Sequence, residues 1–364
     1  YTAVYKWFGH LPGGLGIATI LGCAGFAAIS GSSLATAATM GSVALPEMRK
    51  YRYESGLATG SIAAGGTLGI LIPPSIGFVI YGILTEESVG RLLLAGILPG
   101  LLLAGLYILT IYLLCRRNPA LGPAGPRAPL KERLRSLTGT WGMLLLFVLV
   151  MGGIYSGVFT PIEAAGVGAF GAFAVAVLKG KMGLSEVLSA LFDTLRTTGM
   201  IFLILIGAEI FTLFLGVSKL PMFLADFIGG LELSRYVILS GVLFLYVVLG
   251  CVLDGIAMII LTIPILFPVI VALQFDPIWF GVLMVIVLEM GLITPPVGLN
   301  VFVIGGVAKD VPLVTIFRGV LPFLVASAVG LVLIKIFPDI ALFIPMQMRG
   351  AIQALALPIS FAAP

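Results

Sequence analysis

Long apolar segments separated by short polar ones dominate the chain and predict membrane-spanning helices. About 20 helical residues cross the hydrocarbon core of a bilayer. Segments of that kind lie at about 56–84, 92–115, 140–158, 162–179, 198–217, 277–306 and 319–337. Residues 180–197 combine a basic KGK with apolar positions at helical spacing, which predicts an amphipathic helix at the membrane interface. Residues 116–139, rich in Pro, Gly and Arg, predict a polar linker.

Two further apolar segments, at about 11–47 and 236–273, are too long for one crossing. A small polar cluster interrupts each of them: ISGSSLAT at 29–36 and LGCVLDGI at 249–256. This pattern is better explained by two half-helices that meet in a tip, which is a re-entrant hairpin. Because a tip is not helical, it must be sheltered by protein or by a water-filled cavity.

Two Pro-Pro pairs interrupt two of the predicted spanning helices, in GILIPPSIGF at 69–78 and in GLITPPVGLN at 291–300. Proline lacks the N–H of an intrahelical hydrogen bond and clashes with the carbonyl one turn earlier. Each pair therefore predicts two half-helices joined by an unwound stretch whose freed carbonyls point inward.

These features recur in the same order at a separation of 222 positions. The matched pairs are Ser32 with Asp254, Pro46 with Pro268, Gly69 with Gly291, Pro73 with Pro295 and Pro74 with Pro296. The series predicts an internal repeat, and the five predicted spans between the two hairpins turn the second copy upside down. Inverted repeats with broken helices at matching positions are typical of secondary transporters, which bind substrate and coupling ion near the membrane midplane.

The distribution of charge agrees with this topology, because cytoplasmic loops are enriched in Lys and Arg. Counting crossings places the basic loops on the inside: Arg49, Lys50, Arg52, Arg116, Arg117, Arg127, Lys131, Arg133, Arg135, Lys179, Lys181, Lys309 and Arg318. The loops at 85–91, 160–163 and 274–277 fall outside and are acidic or nearly neutral. Hairpin one is therefore expected to open toward the cytoplasm and hairpin two toward the exterior.

Composition excludes other classes of protein. With 60% hydrophobic residues, 10% charged residues and a mean hydropathy of +1.20, the chain cannot bury its apolar surface in a water-soluble core. The net charge of +4 sits in short loops, so no nucleic-acid partner is expected. One histidine and three cysteines without a CxxC pair argue against a zinc site, a disulfide scaffold or an enzyme. The first repeat lacks counterparts of residues 140–222, so we expect a segment upstream of Tyr1.

The polar tips supply candidate cation ligands. The SGSS tip at 30–33 offers hydroxyls and flexible backbone where hairpin one would face the break at 69–73, and the alternative is simple helix capping. Asp254 is the inverted counterpart of this tip. A carboxylate at membrane depth costs about 2.5–3.5 kcal/mol, so Asp254 is expected to bind an ion or, alternatively, to cap a helix.

Other polar residues in the apolar segments leave several roles open. Thr294 and Asn300 could add oxygen ligands, contact substrate or satisfy freed backbone groups. Glu209 and Glu289 could relay protons or pair with basic groups, and structural roles fit them equally well. The N-termini of the half-helices present N–H groups and positive dipole ends to an anionic substrate.

From His10 to about Pro338 the chain resembles the large membrane subunit, of the DctM type, of the tripartite ATP-independent periplasmic (TRAP) transporters. The motifs that carry the resemblance are HLPGGLGIAT, ISGSSLATAAT, GTLGILIPPSIGFVIYGILTEESVG, GILPG, RTTGM, LDGIAMIILTIPILFPV and GLITPPVGLNVFV. The resemblance implies an all-α polytopic membrane protein with an inverted repeat, two re-entrant hairpins and two discontinuous helices. It also implies sodium-driven uptake of an organic acid, such as a C4-dicarboxylate or sialic acid, across the bacterial inner membrane by an elevator mechanism.

The same resemblance implies partners and sites. The partners are a small four-helix membrane subunit (DctQ-like) and a periplasmic substrate-binding protein (DctP-like), and the alternative is a stand-alone ion or organic-anion transporter or channel. The first sodium (Na+) site would comprise Ser30, Gly31, Ser32, Ser33, Gly69, Ile72 and Pro73. The second would comprise Gly250, Asp254, Gly255, Gly291 and Thr294. The expected substrate-binding residues are Ser32, Thr36, Ser75, Thr294 and Asn300.

The expected division of the chain follows the repeats. Residues 1–91 and 219–318 would form a mobile transport domain from the two hairpins and the two broken helices. Residues 92–218 would supply scaffold helices, the cytoplasmic linker and the interfacial arm. Residues 319–364 would supply the last scaffold helix and a tail.

Overall fold

The computed structural model describes residues 2–125, 127–139, 141–180, 182–219, 222–223, 230 and 233–356. Within these ranges the chain is helical and contains no strand. The first half comprises α1 (Thr2–Phe8), α2 (Gly14–Ser30), α3 (Ser33–Lys50), α4 (Ser55–Gly66), α5 (Leu68–Leu71), α6 (Ile76–Thr85), α7 (Val89–Ala95), α8 (Ile97–Arg117) and α9 (Leu130–Leu137). The second half comprises α10 (Trp141–Tyr155), α11 (Pro161–Leu178), α12 (Leu184–Ser218), α13 (Arg235–Gly250), α14 (Gly255–Ala272), α15 (Pro277–Gly291), α16 (Leu299–Val307), α17 (Leu313–Ile336) and α18 (Asp339–Ala356).

Several of these helices suit a bilayer. In the described part of the chain, 6 helical segments are long and apolar enough to span a membrane, or up to 7 if a bent pair that includes α10 counts as one span. Many large apolar side chains of α10, α11 and α12 are exposed, and only 6% of the apolar windows of α11 and of α12 is buried. A water-soluble protein could not leave so much apolar surface uncovered. The chain is therefore a multi-pass membrane protein.

The first predicted tip is confirmed as a break between two helices. α2 ends at Ser30, and Gly31 adopts a left-handed conformation with φ of 62°, which glycine tolerates without strain. α3 begins immediately afterwards, because the side chain of Ser32 caps it by accepting a hydrogen bond from the Ala35 N–H at 3.4 Å. Only Gly31 and Ser32 separate the two helices, which pack against each other and against α4.

The first predicted broken helix is also confirmed. Residues 72–75 separate α5 from α6, and Pro73 and Pro74 lie in the gap, where each lacks the N–H that a continuous helix would need. Ser75 restarts the helix by accepting a hydrogen bond from the Phe78 N–H at 3.2 Å. A further interruption at Thr67, between α4 and α5, was not predicted.

The second half of the chain repeats both breaks. Residues 251–254 separate α13 from α14 at the second predicted tip. Residues 292–298, which include the second Pro-Pro pair, separate α15 from α16. The breaks of the two halves therefore fall at the positions that the sequence repeat predicted.

The prediction of two elements between 180 and 217 is wrong. An interfacial helix at 180–197 and a span at 198–217 were expected, but α12 runs unbroken through 35 residues. The reason is local, because no proline lies in this segment and each of its glycines, Gly199, Gly207 and Gly216, costs a helix only about 1 kcal/mol. A helix of this length extends about 52 Å at 1.5 Å per residue. The linker and the tail also contain helices, α9 and α18, that were not predicted.

The closest packing in the fold joins α4 to α17. A Cβ at Gly319 would lie 2.0 Å from the Gly56 carbonyl oxygen, and a Cβ at Gly60 would lie 2.3 Å from the Gly319 carbonyl oxygen. The two backbones thus touch without intervening side chains. Such small-residue contacts are how helices associate closely in membranes.

A buried hydroxyl network joins α8 and α17 to the same region. The Tyr107 hydroxyl lies 2.7 Å from Ser327 Oγ and 3.1 Å from Thr67 Oγ1, and all three residues are buried. Tyr107 therefore links two long helices to the interruption between α4 and α5.

An ion pair ties the base of hairpin one to the other half of the chain. Arg49, in the last turn of α3, pairs with Asp310, which follows α16. α16 also packs directly against α3.

Candidate functional site

The tip of hairpin one lies directly on the first broken helix. A Cβ at Gly69 would lie 2.6 Å from the Ser32 carbonyl oxygen, and a Cβ at Gly31 would lie 2.9 Å from the Pro74 carbonyl oxygen. Both approaches are closer than any side chain permits. The structure thus brings together the tip and the break that the sequence placed in one site, with Ile72 and Pro73 following directly in the break.

Hydroxyl groups hold this tip in shape. The Ser32 carbonyl accepts hydrogen bonds from Ser30 Oγ at 3.1 Å, from Thr36 Oγ1 at 2.8 Å and from the Thr36 N–H at 3.0 Å. Ser30 Oγ and Thr36 Oγ1 lie 3.1 Å apart. Thr36, expected to contact substrate, therefore contributes to the structure of the tip.

A carboxylate from the second half of the chain reaches this tip. Ser33 Oγ donates a hydrogen bond of 2.7 Å to Oε1 of Glu289, which lies on α15 and is only 3% exposed. Glu289 Oε2 has no hydrogen-bond partner among the described residues. Burial of an ionised carboxylate with one neutral donor costs several kcal/mol, so the group stays ionised only where a positive charge or further donors compensate it and is otherwise protonated. Sequence reasoning named Glu289 but assigned it no partner, and no sequence signal connects it to Ser33.

The tip of hairpin two contacts the second broken helix in a similar way. A Cβ at Gly291 would lie 2.5 Å from the Gly250 carbonyl carbon and 2.6 Å from its Cα. The N–H of Gly298, in the second break, donates to the Cys251 carbonyl at 3.4 Å. Gly255 packs against Leu288, where a Cβ would lie 2.6 Å from Cδ2. The predicted residues Gly250, Gly255 and Gly291 therefore do meet.

Asp254 is a helix cap in this structure. Its Oδ2 accepts hydrogen bonds from the N–H groups of Ile256 at 3.1 Å and Ala257 at 3.4 Å, and the residue is exposed. Capping was one of the two roles that the sequence left open. The exposed carboxylate remains available to a cation at the mouth of the tip.

The remaining predicted residues divide between the two sites. Ser75 caps α6 beside tip one, and Thr294 Oγ1 donates at 2.6 Å to the Met290 carbonyl, which also accepts from the Ile293 N–H at 3.2 Å. Asn300 Nδ2 donates to the Ala63 carbonyl at 3.3 Å, and its Oδ1 has no partner among the described residues. A Cβ at Gly66 would lie 3.2 Å from both Asn300 Nδ2 and the Ser33 carbonyl oxygen. Asn300, from the second half of the chain, therefore lies near tip one.

Two cavities adjoin tip one. One of about 230 Å³ is lined by Ser30, Gly31, Pro74, Ser75, Ile76 and Val79. Another of about 320 Å³ shares Pro74 and Val79 with it and is lined by apolar side chains of α2, α6, α7, α10 and α11. The smaller cavity places hydroxyl and backbone groups beside the break, as a site for a small polar molecule requires.

The oxygen atoms of the two tips suit a hard cation. Carbonyl, hydroxyl and carboxylate oxygens are the ligands that such cations prefer. No group of three or more His, Cys, Asp or Glu residues with metal-binding geometry occurs in the part of the chain that the structure describes. The donor set around Ser32 and Gly69 consists of neutral carbonyl and hydroxyl oxygens.

The chain combines spanning apolar helices with two helix tips and two unwound breaks. These features define a polytopic membrane protein of the broken-helix class. Residues 1–340 match the family model described as "Tripartite ATP-independent periplasmic transporter, DctM component". The chain belongs to this family, whose members are transporter permeases that work with a small membrane subunit and a periplasmic binding protein.

Individual relatives support this assignment. The C4-dicarboxylate TRAP transporter large permease DctM of Pseudomonas aeruginosa is 41% identical over 339 residues, covering 93% of this chain and 78% of that protein. The sialic acid permease SiaM of Vibrio cholerae is 35% identical over 343 residues, covering 94% and 80%. The 2,3-diketo-L-gulonate permease YiaN of Escherichia coli is 33% identical over 344 residues, covering 94% and 80%. Among solved structures, the YdaH transporter of Alcanivorax borkumensis aligns with a TM-score of 0.49 and 18% identity over 98% of this chain and 88% of that one.

Proposed function

We propose that the protein is the membrane permease of a sodium-coupled symporter that takes up a small organic acid across the bacterial inner membrane. Family membership supports the transport role. Three relatives are named for C4-dicarboxylate, sialic acid and 2,3-diketo-L-gulonate, which are all carboxylates. A further relative, 33% identical, is named for isethionate, a sulfonate. The expected substrate is therefore a small organic acid such as a carboxylate, with Ser32, Thr36, Ser75, Thr294 and Asn300 as its candidate contacts.

One observation carries this proposal: each helix tip packs against the helical turn just before a break through a contact that only glycine allows, Gly69 under tip one and Gly291 under tip two. Two such pairs, 222 positions apart in sequence, support an inverted repeat with binding sites at the junctions. The first sodium site would use the oxygens of 30–33 with those of 69–73. The second would use Gly250, Asp254 and Gly255 with the break that follows Gly291.

We further propose an elevator motion, with a revised boundary for the moving unit. The sequence assigned 92–115 and 319–337 to the static scaffold, and that division stays a prediction. The contacts favour a different grouping, because the backbone contact between α4 and α17 and the hydroxyl network of Tyr107 join α8 and α17 to the first broken helix. Interfaces without intervening side chains do not slide easily. The moving unit would then contain the hairpins, the broken helices, α8 and α17.

The helices α10, α11 and α12 would form the static part. Their large exposed apolar surface supports contact with lipid and with the small membrane subunit. The periplasmic binding protein would deliver the substrate, as the family description implies.

Reconstitution tests the function. The purified permease with its small subunit, in liposomes with an inward sodium gradient, should accumulate labelled carboxylate above the external concentration only when loaded binding protein is present. Accumulation without the binding protein would favour the stand-alone alternative. Passive equilibration of the labelled carboxylate that does not depend on the sodium gradient would refute coupled transport.

A further inference from the structure

The two proposed sodium sites differ in charge. The second includes the carboxylate of Asp254. The first contains only hydroxyl and carbonyl oxygens: Ser30, Gly31, Ser32, Ser33, Gly69, Ile72 and Pro73. A cation inside a membrane protein is costly to bind when no negative charge lies nearby. The first site therefore needs a counter-charge that its own ligands do not supply.

Glu289 is a carboxylate that lacks a positively charged partner among the described residues. It is buried, receives one hydrogen bond from Ser33, and leaves Oε2 without a partner in the described part of the chain. Neither ion pair found among the described residues, Lys6 with Glu132 and Arg49 with Asp310, involves it.

No ion pair joins Glu289 to a described basic side chain on the helices packed against α15. Those side chains are Arg91, Arg235, Arg318 and Lys335. Arg235 stacks on the rings of Tyr236 and Phe275, and Lys335 bonds to Tyr236 and Ser240. In the part of the chain that the structure describes, no cation pairs with the buried carboxylate.

We propose that Glu289 is the counter-charge of the first sodium site and acts on it through Ser33. This inference rests on the proposed function, because it takes the cation between tip one and its break as given. Glu289 lies on α15 in the second repeat, whereas the ion would sit in the first. Occupancy of the first site therefore strengthens the contact between the two halves, so that ion binding helps to lock them together.

Coulomb's law gives the size of the effect. For unit charges about 6 Å apart at an effective dielectric constant of about 20, removing one charge weakens binding of the other by about 100-fold. Partial screening reduces this value, so the expected change in sodium affinity is roughly 10- to 100-fold.

The test compares Glu289→Gln with Glu209→Gln. The first keeps an oxygen that accepts from Ser33 and removes only the charge. The second removes an equal charge from an exposed position on α12, outside either site. Thermal unfolding of each purified protein is followed while sodium replaces potassium at constant ionic strength, because a ligand that binds only the folded state raises Tm with its concentration.

The sodium midpoint is the sodium concentration at which half of the rise in Tm is reached. Wild type and Glu209→Gln should have the same midpoint, and Glu289→Gln should raise it by roughly 10- to 100-fold. An unchanged midpoint in Glu289→Gln overturns the inference and leaves the proposed sodium coupling standing. Absence of any sodium effect in the wild type overturns the proposed coupling itself.

A second measurement covers the case in which Glu289→Gln does not fold. In Asp254→Asn, Glu289 is the remaining candidate carboxylate at the two sites. Infrared difference spectra of this variant should show a change in a carboxylate band when sodium replaces potassium. A spectrum without such a change contradicts the counter-charge role.

Discussion

Replacing Gly69 with alanine should disturb the first site without touching any of its side chains. The added Cβ would lie 2.6 Å from the carbonyl oxygen of Ser32, 2.7 Å from its carbonyl carbon and 2.8 Å from Cα of Ser33. All three are backbone atoms, so no side-chain rotation relieves the contact. Restoring an ordinary 3.4 Å contact moves the tip of hairpin one by about 0.8 Å.

Overpacking of this kind costs roughly 1–3 kcal/mol. If the bound conformation of the tip carries that cost, the sodium concentration for half-maximal uptake rises by roughly 5- to 150-fold, since 1.4 kcal/mol corresponds to tenfold in affinity. Sodium-dependent uptake in proteoliposomes measures the effect on transport. The sodium midpoint of thermal stabilisation measures the same effect without substrate.

Gly105→Ala is the matched control, because Gly105 also lies in a helix and its Cβ would meet nothing within 4 Å. It should leave the sodium dependence unchanged and stabilise the helix by at most about 1 kcal/mol. Equal sodium midpoints for Gly69→Ala and Gly105→Ala would refute the idea that tip one and its break enclose the ion.

Three further substitutions and one control variant test other parts of the structure. Asp254→Asn should weaken sodium-dependent uptake while preserving expression, because asparagine caps a helix as well as aspartate does; unchanged sodium dependence in proteoliposomes would remove Asp254 from the second site. Gly319→Ala should lower the free energy of unfolding by roughly 1–3 kcal/mol or more, since its Cβ would meet the Gly56 carbonyl at 2.0 Å. The yield and the Tm of the purified protein should fall accordingly. Gly330→Ala on the same helix meets only leucine side chains at 3.3 Å or beyond, and a loss equal to that of Gly319→Ala would contradict the tight backbone contact. Tyr107→Phe should cost about 1 kcal/mol in thermal unfolding, because both hydroxyl partners keep bonds to their own helices, and an unchanged Tm would show that the network contributes nothing.

Local chemistry explains which features were predictable. The breaks at Pro73 and Pro295 follow from the missing N–H of proline, and the tip at Ser32 follows from a small polar cluster inside an apolar segment. These causes act within a few residues, so the sequence displays them directly. The glycines at 69 and 291 were named because they repeat, and the structure supplies the reason for them in the close approach of a neighbouring backbone.

Other features depend on residues far apart in the chain. The hydrogen bond from Ser33 to Glu289 joins positions 256 residues apart, and no periodicity connects them. The contact between α4 and α17 is likewise invisible to local patterns, although it joins α17 closely to the first broken helix. The sequence analysis wrongly divided α12 into two elements. A change from an amphipathic to an apolar pattern indicates a change in what surrounds a helix, but it does not interrupt the helix itself.

The ion pair between Arg49 and Asp310 has a consequence for how the permease can open. Hairpin one is fastened to the opposite half of the protein twice, at its base by this pair and at its tip by Ser33 and Glu289. In the proposed transport cycle, a swing of hairpin one alone would have to break both of these contacts. Neither ion pair among the described residues involves hairpin two, so we expect any separate gating movement there.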